Sequence, residues 1–104
     1  MIVTATDQEN ADILERVPGG LGVMSLAQLL SEARLLKPLT VDGVAPTPAA
    51  VRAKKYPLTM TMYVVTGPKS SRTALEFARF IGTPVAAATL EKMGYWVRAP
   101  GQGR

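Results

Sequence analysis

Ser70, Ser71, Arg72 and Thr73 stand in a row where a helix should begin, just after the Gly67-Pro68-Lys69 break. Hydroxyls meet there with the unpaired backbone N–H groups of a first helical turn. With an arginine beside them they form a candidate anion site, because the helix dipole favours negative charge at that end. The plainer reading is a helix cap followed by an exposed arginine. Elsewhere the chemistry is sparse. The 104 residues include no cysteine and no histidine. Disulfides, thiolate metal sites, cysteine nucleophiles and imidazole acid–base schemes therefore have no candidates. Carboxylates, lysines, hydroxyls and backbone N–H groups remain, a set suited more to binding than to catalysis. No paired carboxylates and no nucleophile–base spacing can be located. The expectation is a protein that is not an enzyme, with no catalytic residue, metal ligand or cofactor.

Other chemistry-bearing residues have plain structural readings. Gly19, Gly20 and Gly22 resemble a phosphate loop only in composition. They precede a strand instead of following one, and no Gly-Lys-Ser/Thr accompanies them, so a turn is expected. Asp42 sits in an Asp-Gly pair, which marks a turn residue and not a catalytic acid. Glu76 and Glu91 fall on helix surfaces near basic residues and read as solvated. Trp96 reads as a partly buried anchor, with ligand stacking as the alternative. The net charge of +4 comes from dispersed residues, and only Arg52, Lys54 and Lys55 cluster. No aromatic residues interleave with that cluster, so a solvated surface is expected and not a nucleic-acid interface.

The elements that would position these residues alternate between helix and strand. Ile2–Thr4 reads as a strand remnant. Thr6 and Glu9 form a capping box ahead of a helix from Asp7 to about Arg16, stopped by Pro18-Gly19-Gly20. Leu21–Met24 reads as a short strand. Ser25 and Gln28 form a second box before a helix reaching about Leu36, with Pro38 beyond it. Leu39–Val41 reads as a strand, and Asp42-Gly43 as a turn. Thr47 caps a helix that opens on Pro48. Tyr56-Pro57 leads into Leu58–Val65, where Leu58, Met60, Met62 and Val64 alternate with Thr59, Thr61, Tyr63 and Val65. That is the clearest strand, with the methionine face expected in the core. Ser70 or Ser71 caps the next helix, with Ala74, Leu75, Phe77, Ala78 and Ile81 on its buried face. Thr83-Pro84 opens another, closed by Gly94. Tyr95–Val97 reads as a last strand, and 98–104 as a disordered tail.

Composition is globular: 47 % apolar and 19 % charged. No apolar run is long enough for a membrane span. The first residues lack a basic start and an apolar signal core, so no signal peptide is expected here. A cytoplasmic protein fits that, and so does an exported protein whose N-terminal part is missing. The expected class is α/β: a partial three-layer α-β-α sandwich, with its sheet incomplete within one chain.

The joints between these elements resemble a known family. Pro18-Gly19-Gly20-Leu21-Gly22 looks like the Pro-Gly-x-Ile-Gly-Tyr segment of phosphate-type solute-binding proteins of ABC uptake systems. Val23 stands where an aromatic residue is usual. Asp42-Gly43-Val44-Ala45-Pro46 is similar to the family's Asp-Gly-x-x-Pro. Tyr56-Pro57-Leu58 with Tyr63-Val64-Val65 resembles its Tyr-Pro-Leu-x-Arg-x-Leu-Tyr strand, with Met60 in place of the frequent Arg and Lys55 in place of Gly. Ala74, Phe77, Phe80-Ile81, Leu90, Lys92 and Gly94-Tyr95 are similar to its closing helices. The resemblance covers residues 10 to 97.

The resemblance implies the type II periplasmic binding protein fold, in a periplasmic or extracytoplasmic receptor. Such a receptor closes on inorganic phosphate or a related oxyanion and serves an ABC permease. It divides the chain into the end of a second lobe (1–38), a crossover (39–57), a return into the first lobe (58–97) and the tail (98–104). The family's Ser-Gly-Thr run and first-lobe loop are not found here, so no ligand residue is carried over. The expected function is a fragment or truncated form of such a receptor. The alternative is a small non-catalytic interaction module that self-associates, as a homo-oligomer, to complete its sheet.

Overall fold

Helix starts in this chain are written locally. The computed structural model describes residues 1–98, and five helices hold nearly all of its regular structure: α1 (Asp7–Arg16), α2 (Leu26–Ser31), α3 (Pro48–Arg52), α4 (Arg72–Ile81) and α5 (Pro84–Lys92). A hydroxyl caps each one. Thr6, Ser25, Thr47, Ser71 and Thr83 accept from the N–H three residues on, at 3.1, 3.1, 3.1, 3.1 and 3.3 Å. Pro48 and Pro84 occupy first-turn positions where no N–H is needed. The Thr6 box closes one residue outside its usual place, since the Glu9 carboxylate accepts from Ala5 N–H at 2.9 Å. The Ser25 box does not close, because Gln28 Nε2 turns to Glu32.

Three helices end in the same way. At Ala33, Lys54 and Gly94 the backbone turns left-handed, with φ of 48°, 55° and 90°. The next N–H reaches back five residues: Arg34 to Leu29, Lys55 to Ala50 and Tyr95 to Leu90, at 3.0, 2.9 and 3.0 Å. This is the Schellman closure, which satisfies carbonyls the helix leaves unpaired. It cuts α2 at Ser31, short of the expected Leu36.

The expected α-β-α sandwich is absent. Among the described residues the one β feature is an isolated bridge between Val41 and Val44. Its bonds, 3.0 and 2.9 Å, flank a tight turn in which Asp42 and Gly43 both have positive φ. Ile2–Thr4, Leu21–Met24, the expected strand Leu39–Val41, Leu58–Val65 and Tyr95–Val97 form no ladder. The physical reason is that a strand needs a neighbour whose N–H and C=O groups pair with its own along its length, and none of these segments exchanges a backbone hydrogen bond with another. From Pro57 to Thr66 the chain runs with no bend, turn or positive φ, and no backbone group there has a partner. Both faces of that segment are exposed, Met60 at 76 % and Met62 at 66 %, so the methionine face does not form a core.

Among the described residues the buried core is three alanines: Ala11 on α1, Ala27 on α2 and Ala86 on α5. Gly94 sits against Leu26 and Ala27, joining the end of α5 to α2. Asn10 Nδ2 donates to Val23 O at 2.9 Å, tying α1 to the segment before α2. Helices α4 and α5 pack together. The result is open. A folded monomer of 11.1 kDa exposes about 5,700 Å², whereas this chain exposes 8485 Å². Its radius of gyration is 16.2 Å, where about 13 Å is usual for this length. The expected tail lies, apart from Arg98, outside the described residues.

Candidate functional site

The candidate anion residues are held together at the start of α4, each with a local task. Ser71 is the N-cap and accepts from Ala74 N–H at 3.1 Å. Ser70 closes the preceding turn: its Oγ accepts from Gly67 N–H at 2.8 Å, and its N–H donates to Gly67 O at 3.0 Å. Arg72 turns along the helix, and its Nε donates to Glu76 Oε1 at 2.9 Å. Thr73 is exposed. An anion arriving here would meet an arginine already facing a carboxylate four residues on, fully in solvent.

The most organised polar cluster lies elsewhere. Arg34, whose side chain is 15 % exposed, reaches Asp12 Oδ1 at 2.5 Å and Glu15 Oε2 at 3.4 Å through Nη1, and Glu32 Oε2 at 2.6 Å through Nε. Leu35 N–H donates to Glu15 Oε1 at 2.8 Å. The Schellman closure makes this geometry possible, since the left-handed Ala33 swings the chain from α2 back toward α1. The hydrogen bond from Arg34 holds the Asp12 carboxyl below its ordinary range, against the opposing effect of desolvation. The same guanidinium does so for Glu32, with Gln28 assisting. Arg34 in turn is held more firmly protonated, first by Asp12 and then by Glu32. Three carboxylates around one guanidinium leave no positive charge to offer an anion. The cluster clamps α1 to the end of α2.

An open groove of about 350 Å³ runs between α1, α2 and the end of α5. Asp7, Gln8, Gln28, Glu32, Met93 and Tyr95 are among its walls. Its acidic rim disfavours an oxyanion, and Ser70–Thr73 do not reach it. Among the described residues no three carboxylates are grouped to hold a metal ion, and no helix is long and apolar enough to cross a membrane.

The remaining sequence candidates take structural places. Asp42 forms the tight turn with Gly43. Glu91 pairs with Arg52, which draws one member of the basic cluster into an ion pair between α5 and α3. Lys54 occupies a left-handed helix end. Trp96 is half-buried, with the Arg98 guanidinium 5.6 Å from its ring centre, a cation–π distance. Sequence reasoning missed the Arg34 cluster. Its available signal was Asp12 and Glu15 three residues apart on one helix face, with an arginine just past the next helix.

No protein-family model, curated protein or solved structure matches this chain.

Proposed function

We propose that this chain is a non-catalytic framework portion of an extracytoplasmic receptor for phosphate or a related oxyanion, serving an ABC permease. On this reading, other polypeptide supplies the groups that grip the anion. The observation that carries it is the segment from Pro57 to Thr66, a straight, uncharged, apolar-rich stretch whose backbone is wholly unpaired. A chain with that segment as part of its framework requires cover from outside itself. The order of joints from Pro18 through Tyr95 adds the receptor identity. The occupied hydroxyls of Ser70 and Ser71 and the Arg72–Glu76 pair favour an anion grip located elsewhere.

The test is a chimera. Residues 10–97 replace the corresponding closing part of a phosphate-binding protein, and binding is measured by isothermal titration. The expected result is a folded chimera that retains micromolar phosphate binding. A chimera that misfolds, or folds without binding, overturns the receptor reading. The isolated chain should show no such binding; tight binding by it alone would refute the absence of a grip. A second reading, favoured by the excess of exposed surface, is a small non-catalytic interaction module that self-associates.

A further inference from the structure

We propose that the isolated chain forms a two-fold dimer in which residues 56–66 of two copies pair antiparallel, centred on Thr61. The proposal deepens the self-association reading and stands independently of the receptor reading. Three observations lead to it.

The surface is available. The chain exposes about 2,800 Å² more than a compact monomer of its mass, and a stable dimer needs about 800 Å² from each partner. Leu58, Met60, Met62, Tyr63, Val64 and Val65 all contribute to that exposure.

The charge is permissive. No charged residue lies between Tyr56 and Thr66. Two copies can therefore lie side by side with no like charges opposed, the condition that edge strands ordinarily break with a lysine.

The register follows from the side chains. In an antiparallel pair, opposed residues point to the same face. Keeping the apolar face intact requires Leu58 opposite Val64 and Met60 opposite Met62. That places Thr59 opposite Tyr63 and Thr61 opposite its own copy, on the symmetry axis. Pro57 then falls opposite Val65. Proline has no N–H, so this must be a non-hydrogen-bonded pair. Pairs alternate in type along the ribbon, so Thr61 also occupies a non-hydrogen-bonded pair, where Cα atoms approach to about 4.5 Å. That spacing lies inside the range a disulfide spans.

The chain has no cysteine, so single introduced cysteines report this geometry without background. In the full chain, Thr61→Cys should cross-link to itself rapidly under mild oxidation. Thr59→Cys, which lies away from the axis, should cross-link at least tenfold more slowly. Light scattering of the unmodified chain should give twice the monomer mass. Met60→Lys should weaken the dimer at least tenfold while far-UV circular dichroism keeps its helical signal. A monomer at high concentration, open-ended oligomers, or cross-linking at position 59 as fast as at 61 overturns the proposal.

Discussion

Gly94→Ala probes the joint that holds α5 to α2. Gly94 has φ of 90°, and a Cβ placed on it would lie 2.9 Å from Leu26 Cγ, 3.1 Å from Leu26 Cδ2 and 3.3 Å from Ala27 N. Two penalties act together. A left-handed alanine costs about 1–2 kcal/mol, of which about 0.5–1 is offset by the reduced freedom of the unfolded chain. Overpacking against Leu26 costs about 1–3 kcal/mol more. The expected loss is about 2–3 kcal/mol by these ranges. Urea unfolding followed by helical circular dichroism measures it, with Trp96, two residues away, as a fluorescent reporter of the same joint. The Leu26→Ala background separates the two penalties. Removing the Leu26 side chain relieves the clash but leaves the φ strain, so Gly94→Ala should then cost only about 1 kcal/mol. A loss in the original chain below about 0.5 kcal/mol, the scatter of ordinary surface substitutions, would refute the packing described for this joint. So would a loss that Leu26→Ala leaves unchanged.

Two further predictions concern α2 and its clamp. Ala33→Gly should stabilise the chain by about 1 kcal/mol, because glycine removes the left-handed strain at a Schellman position; thermal unfolding reads it, and a lower midpoint would contradict the geometry. Asp12 and Glu32 are held below their unfolded values, so their contribution is present above about pH 4 and is lost as pH falls through the depressed folded values. Acid titration of the helical signal should show that loss, and Arg34→Gln should flatten it; a slope unaffected by the substitution would remove Arg34 as its source.

The helices were legible because their signals are local. A hydroxyl three residues before an N–H, or a proline at a first-turn position, depends on nothing farther along the chain, and all five caps were found where such residues stand. Helix ends were legible only in part. Gly94 announces a left-handed residue, whereas Ala33 and Lys54 do the same work with side chains that carry no such signal. The Arg34 clamp joins residues 19 and 22 positions apart, a separation beyond any periodic pattern. The strands failed for a related reason. Alternation in Leu58–Val65 expresses a preference for extended backbone, and the backbone there is straight. A ladder is a property of two segments, and among the described residues no second segment pairs with this one. Ser70–Thr73 illustrate the converse case, in which hydroxyls at a helix start serve equally as caps, and capping is the use the structure makes of them.

The receptor and the dimer make competing demands on one edge, and that competition yields a final test. An interface of about 800 Å² per copy, somewhat over half of it apolar, gives a gross hydrophobic gain of about 22 kcal/mol per dimer. Losing free motion on association offsets about 4–15 kcal/mol of this, before any side chain is ordered. A ribbon over residues 56–66 leaves Phe77 and Phe80 of α4 in water. Polypeptide linked in the same receptor pays far less of that entropy and can take both surfaces, so it should displace the second copy. The phosphate-binding chimera carrying Thr61→Cys should then be monomeric and resist self-cross-linking, while the isolated Thr61→Cys chain cross-links. If the chimera cross-links as readily as the isolated chain, its edge is still open. The segment from Pro57 to Thr66 is then not covered by receptor framework, and the receptor reading loses the observation it rests on.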